Sequence, residues 1–246
     1  MPTFFIPAPS IIPPTIRITE PLLRHLRDSL RLQPGEPLTL TDYEGMRYRT
    51  EIVQITPKAI EARILETESA PAKASPTVVL AQALLKGEKM DWVIQKSTEL
   101  GIGRLVPLLA RHSVMKLKQD RVDHQRARWE RIALEAAQQS ERWDVPVIEE
   151  PATLPELLTR YADCESKHIL AERSTADPLN RIPLPTNADT RILLMIGPEG
   201  GWDETEINQA MEQGCRPLTM GPKILRAETA AIAAISIVQA RLGELG

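Results

Sequence analysis

The first third of the chain gathers its apolar residues in short β-like runs, at Thr3–Ile6, Thr15–Ile18, Pro37–Tyr43, Tyr48–Ile55 and Ala59–Leu65, punctuated by prolines and by the turn pairs Pro34-Gly35 and Glu44-Gly45. Such runs bounded by turn formers predict strands, and several in succession predict a small β-rich barrel. One interruption, Glu20 to Leu30, places Leu22, Leu23, Leu26 and Leu30 at helical spacing and predicts a short amphipathic helix. The segment TESAPAKASP lacks any period and predicts a linker, giving an N-terminal domain over 1–68, a linker over 69–76 and a second domain over 77–246.

Beyond the linker the rhythm changes. Apolar runs at Thr77–Leu85, Ile102–Leu109, Val145–Ile148, His168–Glu172, Arg191–Gly197 and Arg216–Met220 alternate with helical patterns at Lys89–Leu100, about Val122–Glu141, Leu154–Tyr161, Glu204–Gln213 and about Ala227–Leu242. This alternation predicts an α/β domain: a parallel sheet with helices on both faces. Gly101 stands where a glycine would end the first of these helices, and Asp203 with Glu206 forms a capping box for another.

Composition changes this picture only by exclusion. Over 246 residues, 42% hydrophobic and 26% charged is the make-up of a globular chain rather than a disordered one. No uncharged run is long enough to span a bilayer, and the opening MPTFFIPAPSIIPP has no basic leader region, so a cytoplasmic protein is expected. Cys164 and Cys215 show neither metal-ligand nor disulfide spacing. A net charge of −3 excludes a globally basic nucleic-acid binder. Between Lys86 and Arg131, however, eleven basic residues stand against six acidic ones, a net of +5 that suits either solvated helix faces or an anionic partner.

Two stretches carry chemistry. ILLMIGPEGGWD runs from a strand through Gly197, Gly200 and Gly201 into a capped helix, at the carboxyl end of a parallel strand where such sheets bind ligands. It matches neither the dinucleotide fingerprint nor the phosphate loop, which disfavours NAD or ATP and leaves another ligand with a nucleoside part. MGPKILRAETAA repeats the strand, loop and helix pattern and places Arg226 beside an apolar helix, where a buried arginine requires Glu228, Glu199 or a ligand anion as partner.

LLKGEKMDWVIQKSTELGIGRLVPL, EAAQQSERWDVPVI, IGPEGGW and MGPKILRAETA, in this order and spacing, resemble the RsmE family of SPOUT-superfamily RNA methyltransferases, and FFIP with LRDSLRLQPGEPL resembles that family's N-terminal domain. The resemblance implies a PUA-like RNA-binding barrel, a C-terminal domain with a deep trefoil knot, a homodimer, and transfer of a methyl group from S-adenosylmethionine to N3 of a uridine in 16S ribosomal RNA. It implies a cofactor site at Ile196, Gly197, Gly201, Met220, Leu225, Thr229 and Ala230, with Leu170, Ala171 and Glu172 as a further wall.

N3 alkylation needs only loss of the imide proton, for which a base or a cation that stabilises the uridinate suffices, and Arg226 is the candidate cation, whereas C5 alkylation would call for a cysteine that neither stretch holds. Glu199 is a candidate base or orienting group, or a brace for its loop. Lys86, Lys89, Lys96, Arg104, Arg111 and Arg142 are candidate phosphate contacts, and with nine aromatic residues in the chain, backbone and shape reading of RNA is expected to dominate. The chain departs from the family pattern at Thr3, Gln138 and Lys223. The alternatives are a SPOUT enzyme acting on another RNA or atom, and a non-catalytic RNA-binding assembly protein.

Overall fold

The computed structural model describes residues 3–115, 117, 119–171 and 177–246. They form two compact units, Met1–Ala72 with Ala137–Val145, and Lys73–Ala136 with Pro146–Gly246.

In the first unit, strands β1 (Thr3–Ile6), β2 (Ile11–Ile12), β3 (Thr15–Ile18), β4 (Pro37–Asp42), β5 (Met46–Ile55) and β6 (Ile60–Ser69) form one sheet in the order β1-β4-β5-β6-β3-β2. Only the β1–β4 pair is parallel. The alternation seen in the sequence places Phe4, Ile6, Ile16, Ile18, Leu38, Leu40, Ile52 and Ile60 on one buried face, where Leu23 and Leu26 cover them. Those two leucines come from the segment expected to be one helix. It is instead a short α1 (Leu22–Arg24) widening into a π-turn over His25–Ser29. Residues 137–145 join this unit through Arg47, whose Nη2 donates to Glu141 O at 2.9 Å and whose guanidinium lies 3.7 Å from the centre of the Trp143 ring.

The second unit holds β7 (Thr77–Ala83), α2 (Lys89–Glu99), β8 (Arg104–Leu109), α3 (Val122–Gln139) as far as Ala136, β9 (Val147–Ile148), β10 (Ala152–Thr153), α4 (Leu154–Arg160), β11 (Ser166–Leu170), β12 (Asp177–Pro178), β13 (Arg191–Ile196), α5 (Glu204–Glu212), β14 (Arg216–Thr219) and α6 (Ala227–Leu242). The strands are all parallel, in the order β10-β8-β7-β13-β11-β14-β12, with β9 also pairing β8. Val79, Ala81, Leu193 and Met195 point to one face and meet Leu154, Leu157, Leu158 and Ala210 of α4 and α5. On the other face α6 packs against β7, β13 and α2. Leu100 ends α2, and its carbonyl accepts from Gln239 Nε2 of α6 at 2.8 Å. Gly101, at φ +85°, then turns the chain beneath that side-chain amide.

Candidate active site

Three neighbouring strands end level with one another. Leu170 at the end of β11 is in register with Ile196 of β13 on one side and Leu218 of β14 on the other, and this row forms an apolar floor. Above it opens a cavity of about 560 Å³. Its rim is the loop 197–203, the loop 220–226 and the start of α6.

The first loop is shaped by contacts that glycine alone permits. Gly201 N donates to Pro198 O at 2.9 Å, closing a turn in which Gly201 has φ +75°. A Cβ on Gly197 would lie 3.0 Å from Trp202 Nε1, and one on Gly200 would lie 3.0 Å from the Cβ of His112. The Trp202 indole thus folds back over Gly197, and its N–H donates to Leu170 O at 2.9 Å. Asp203 caps α5 by accepting from Thr205 N. Hydrogen bonds from Thr205, with Arg111 and His112 nearby, hold the Asp203 carboxyl below its ordinary value. Glu206 is buried and joins two loops: one oxygen accepts from Asp203 N at 3.1 Å, the other from Arg111 N at 3.0 Å.

Among the residues expected to hold a cofactor, Leu170, Ala171, Ile196, Gly197, Gly201, Met220, Leu225 and Ala230 all line this cavity. Thr229 lines a neighbouring one, and Glu172 lies outside the described residues. The sequence reading missed Trp202, Ile207 and Leu218, which also line it. For Leu218 the signal was present, because a strand end beside Leu170 completes the floor, but strand order is not written in local sequence.

Arg226, expected to be buried with Glu199, Glu228 or a ligand anion as its partner, is exposed, and among the described residues it makes no ion pair. Lys89 takes both carboxylates instead, with Nζ 3.2 Å from Glu199 Oε1 and 3.7 Å from Glu228 Oε2. Glu199 Oε1 also accepts from Lys86 N at 3.3 Å. Partial burial pushes the Glu199 carboxyl up, but its own backbone N–H, the Lys89 ammonium and Lys86 N–H outweigh this and hold it below the ordinary range. Glu199 is thus engaged by Lys86 and Lys89 rather than by Arg226.

Of the other residues expected to contact phosphate, Lys96 pairs with Glu99, Arg104 with Glu149, Arg111 with Asp203 and Arg142 with Asp144, while Lys86 is exposed. Much of the local basic excess is therefore balanced by carboxylates from elsewhere in the chain.

The cavity offers strand-end backbone, an apolar floor and two glycine loops with room for close approach, the surroundings that suit a nucleoside with a short polar tail. Residues 72–239 match the family described as RNA methyltransferase domain, and residues 18–65 match the RNA methyltransferase PUA domain. Ribosomal RNA small subunit methyltransferase E of Bacillus subtilis is 31% identical over 229 residues, 92% of this chain and 90% of its own length. The chain belongs to the ribosomal RNA small subunit methyltransferase E family.

The crystal structure of the Neisseria gonorrhoeae member of this methyltransferase E family, bound to S-adenosyl methionine, is 32% identical and superposes with a TM-score of 0.87 over 98% of both chains. A putative methyltransferase of Legionella pneumophila, solved with the cofactor SAM, is 30% identical, with a TM-score of 0.87 over 98% of both chains. Family members thus share the architecture described above, a PUA unit and a SPOUT-type parallel sheet.

Proposed function

We propose that this protein transfers a methyl group from S-adenosylmethionine to N3 of a uridine in 16S ribosomal RNA. The observation that carries the reading is the glycine-walled cavity at the ends of β11, β13 and β14, in a chain that matches cofactor-bound family members over nearly its whole length. The cofactor supplies an electrophilic methyl group on a sulfonium. The chain's own residues enclose it: Gly197 and Gly201 let backbone approach, Leu170, Ile196, Leu218 and Leu225 supply apolar walls, and Trp202 pins the loop.

Nitrogen rather than carbon alkylation fits the thiols. Cys164 and Cys215 are buried in the core between the sheet and α4 and α5, and burial raises both, Cys215 to about 11. Neither lines the cavity, so no thiolate is placed to add to a uracil ring. Arg226, exposed and without an ion pair among the described residues, has a guanidinium free to stabilise the anion left when N3 loses its proton.

A homodimer accompanies this reading. α6 carries a single charge, Glu228, before Arg241, yet Ile232, Ala233, Ser236 and Ile237 are only half-buried, and Ile224 before it is 62% exposed. The deep trefoil knot belongs to the same proposal, formed by the two cavity loops. RNA is held through the PUA unit and Lys86, in the cytoplasm. No described helix is long and apolar enough to cross a membrane.

The test is methyl transfer from labelled S-adenosylmethionine to small ribosomal subunits lacking the modification, followed by nucleoside analysis, with Arg226→Ala in parallel. N3-methyluridine from the wild type, reduced about 100-fold in the variant while calorimetric cofactor binding persists, is the expected result. A different methylated nucleoside, or no transfer, overturns the proposal.

A further inference from the structure

A single ammonium reaches both rims of the cofactor cavity. Lys89 opens α2, and its Nζ lies 3.2 Å from Glu199 Oε1 in the loop 197–203. The same Nζ lies 3.7 Å from Glu228 Oε2, in the first turn of α6 just beyond the loop 220–226. Glu199 itself lines the cavity, as do Ala227 and Ala230 on either side of Glu228. Lys86 N donates to the same Glu199 oxygen at 3.3 Å, so the segment 86–89 holds the loop at two points. From the sheet, the same loop is held by the Trp202 indole N–H on Leu170 O.

We propose that Lys89 is a positioning residue for methyl transfer: acting through Glu199, it holds the glycine loop in the shape that receives S-adenosylmethionine, and it ties that loop to the start of α6. The inference rests on the placement of the cofactor in this cavity and deepens it. It also moves Lys89 from the phosphate contacts expected of it to the cofactor site.

The need for such a tie follows from the residues of the loop. Gly197, Gly200 and Gly201 let the backbone come close to a ligand, but glycine loses more conformational freedom than any other residue when it is ordered. That cost falls on cofactor binding unless the loop is ordered beforehand. Glu199 stands between Gly197 and Gly200, where an anchor orders the most permissive part of the loop in the free protein. An ammonium suits the task, because three donors on a compact charge serve two carboxylates lying in different directions. The Lys89, Glu199 and Glu228 side chains are 36%, 25% and 15% exposed, so solvent and salt screen their attraction less than that of a fully exposed pair.

The experiment uses the full-length protein, with calorimetric titration of S-adenosylmethionine followed by methyl transfer to small ribosomal subunits lacking the modification. Lys89→Met is expected to weaken cofactor affinity, and to raise KM for the cofactor, about tenfold, with kcat at saturation within threefold and the urea midpoint unchanged. Lys89→Arg keeps the charge and is expected to restore affinity to within threefold. Glu199→Gln should match Lys89→Met, and the double variant should be no weaker than either, because both changes break one tie. Glu228→Gln, at the longer distance, should cost about threefold. A raised KM for RNA with cofactor affinity within twofold of wild type would return Lys89 to phosphate binding and overturn the proposal. So would a 100-fold loss in the double variant, or a fall in kcat with unchanged affinity. Gly197→Ala alters the cavity wall without touching Lys89; unchanged cofactor affinity in that variant would instead defeat the placement of the cofactor.

Discussion

The indole N–H of Trp202 reaches back across the glycine loop to the carbonyl oxygen of Leu170, 2.9 Å away, and so ties the end of β13 to the end of β11 above the cavity floor. Gly197 makes this possible by having no Cβ under the ring. Trp202→Phe keeps the ring and removes the donor. It is expected to weaken S-adenosylmethionine binding about fivefold, in line with one lost hydrogen bond of about 1 kcal/mol. Gly197→Ala must displace the indole and is expected to weaken it more than tenfold. Calorimetric titration of both variants checks the order; equal affinity in all three proteins would show that the tie does not shape the site.

Glu206 holds two backbone N–H groups from two different loops. Its replacement by Ala leaves both donors without that acceptor in a buried place and is expected to cost about 2–4 kcal/mol in urea unfolding. Glu206→Gln retains an acceptor oxygen and is expected to fall between. Cofactor affinity should decline in the same order, since one of those loops is the cavity rim.

Gly101 has φ +85°, and a Cβ there would come 2.7 Å from Gln239 Nε2. Gly101→Ala is therefore strained twice, by its backbone and by the side chain it meets, and about 2–3 kcal/mol of destabilisation is expected. Gln239→Ala removes the obstruction but leaves Leu100 O unsatisfied. The double variant should be less destabilised than the sum of the singles, which a double-mutant cycle in thermal unfolding measures.

His168 in β11 is buried, with Nε2 within 2.9 Å of Ser166 Oγ and Nδ1 unpartnered among the described residues. Burial, with the Arg216 charge adding to it, lowers its pKa from 6.5 to about 4. Between these values the unfolded chain binds a proton that the folded one refuses, so stability rises with pH across that window and is lost on acidification through it. The interval corresponds to roughly 3 kcal/mol at most. Against the wild type, His168→Leu should show a flatter dependence of unfolding free energy between pH 6.5 and 4; an unchanged slope would assign the acid sensitivity elsewhere.

The periodicity of apolar residues was enough to place most strands and helices, because burial of one face imposes a regular spacing. Thr15–Ile18 carries that spacing, whereas Thr3–Ile6 is buried at every position and Ala227–Leu242 is apolar almost throughout; all three fold close to the expected bounds. The two-residue strands β2, β10 and β12 are too short to show a period, and the widened turn after α1 preserves the leucine spacing while abandoning the regular helix. Within the site, glycines and strand ends were legible because they are local. Ion pairing was not. Lys89 resembles any exposed basic residue in sequence, and its partner Glu199 lies 110 positions away. Arg226, read as needing Glu228, Glu199 or a ligand anion, has neither carboxylate, because Lys89 stands between both where α2 packs beside α6.

The strand order of the second unit also constrains how the protein is made. β7 lies between β8, which follows it soon in sequence, and β13, whose Arg191 pairs with Thr77 only after most of the chain has been synthesised. During translation at about 5–20 residues per second, β7 therefore leaves the ribosome several seconds before its second neighbour exists, with an unpaired apolar edge to protect. Nascent chains stalled before residue 191 should be the form of this protein most dependent on chaperones.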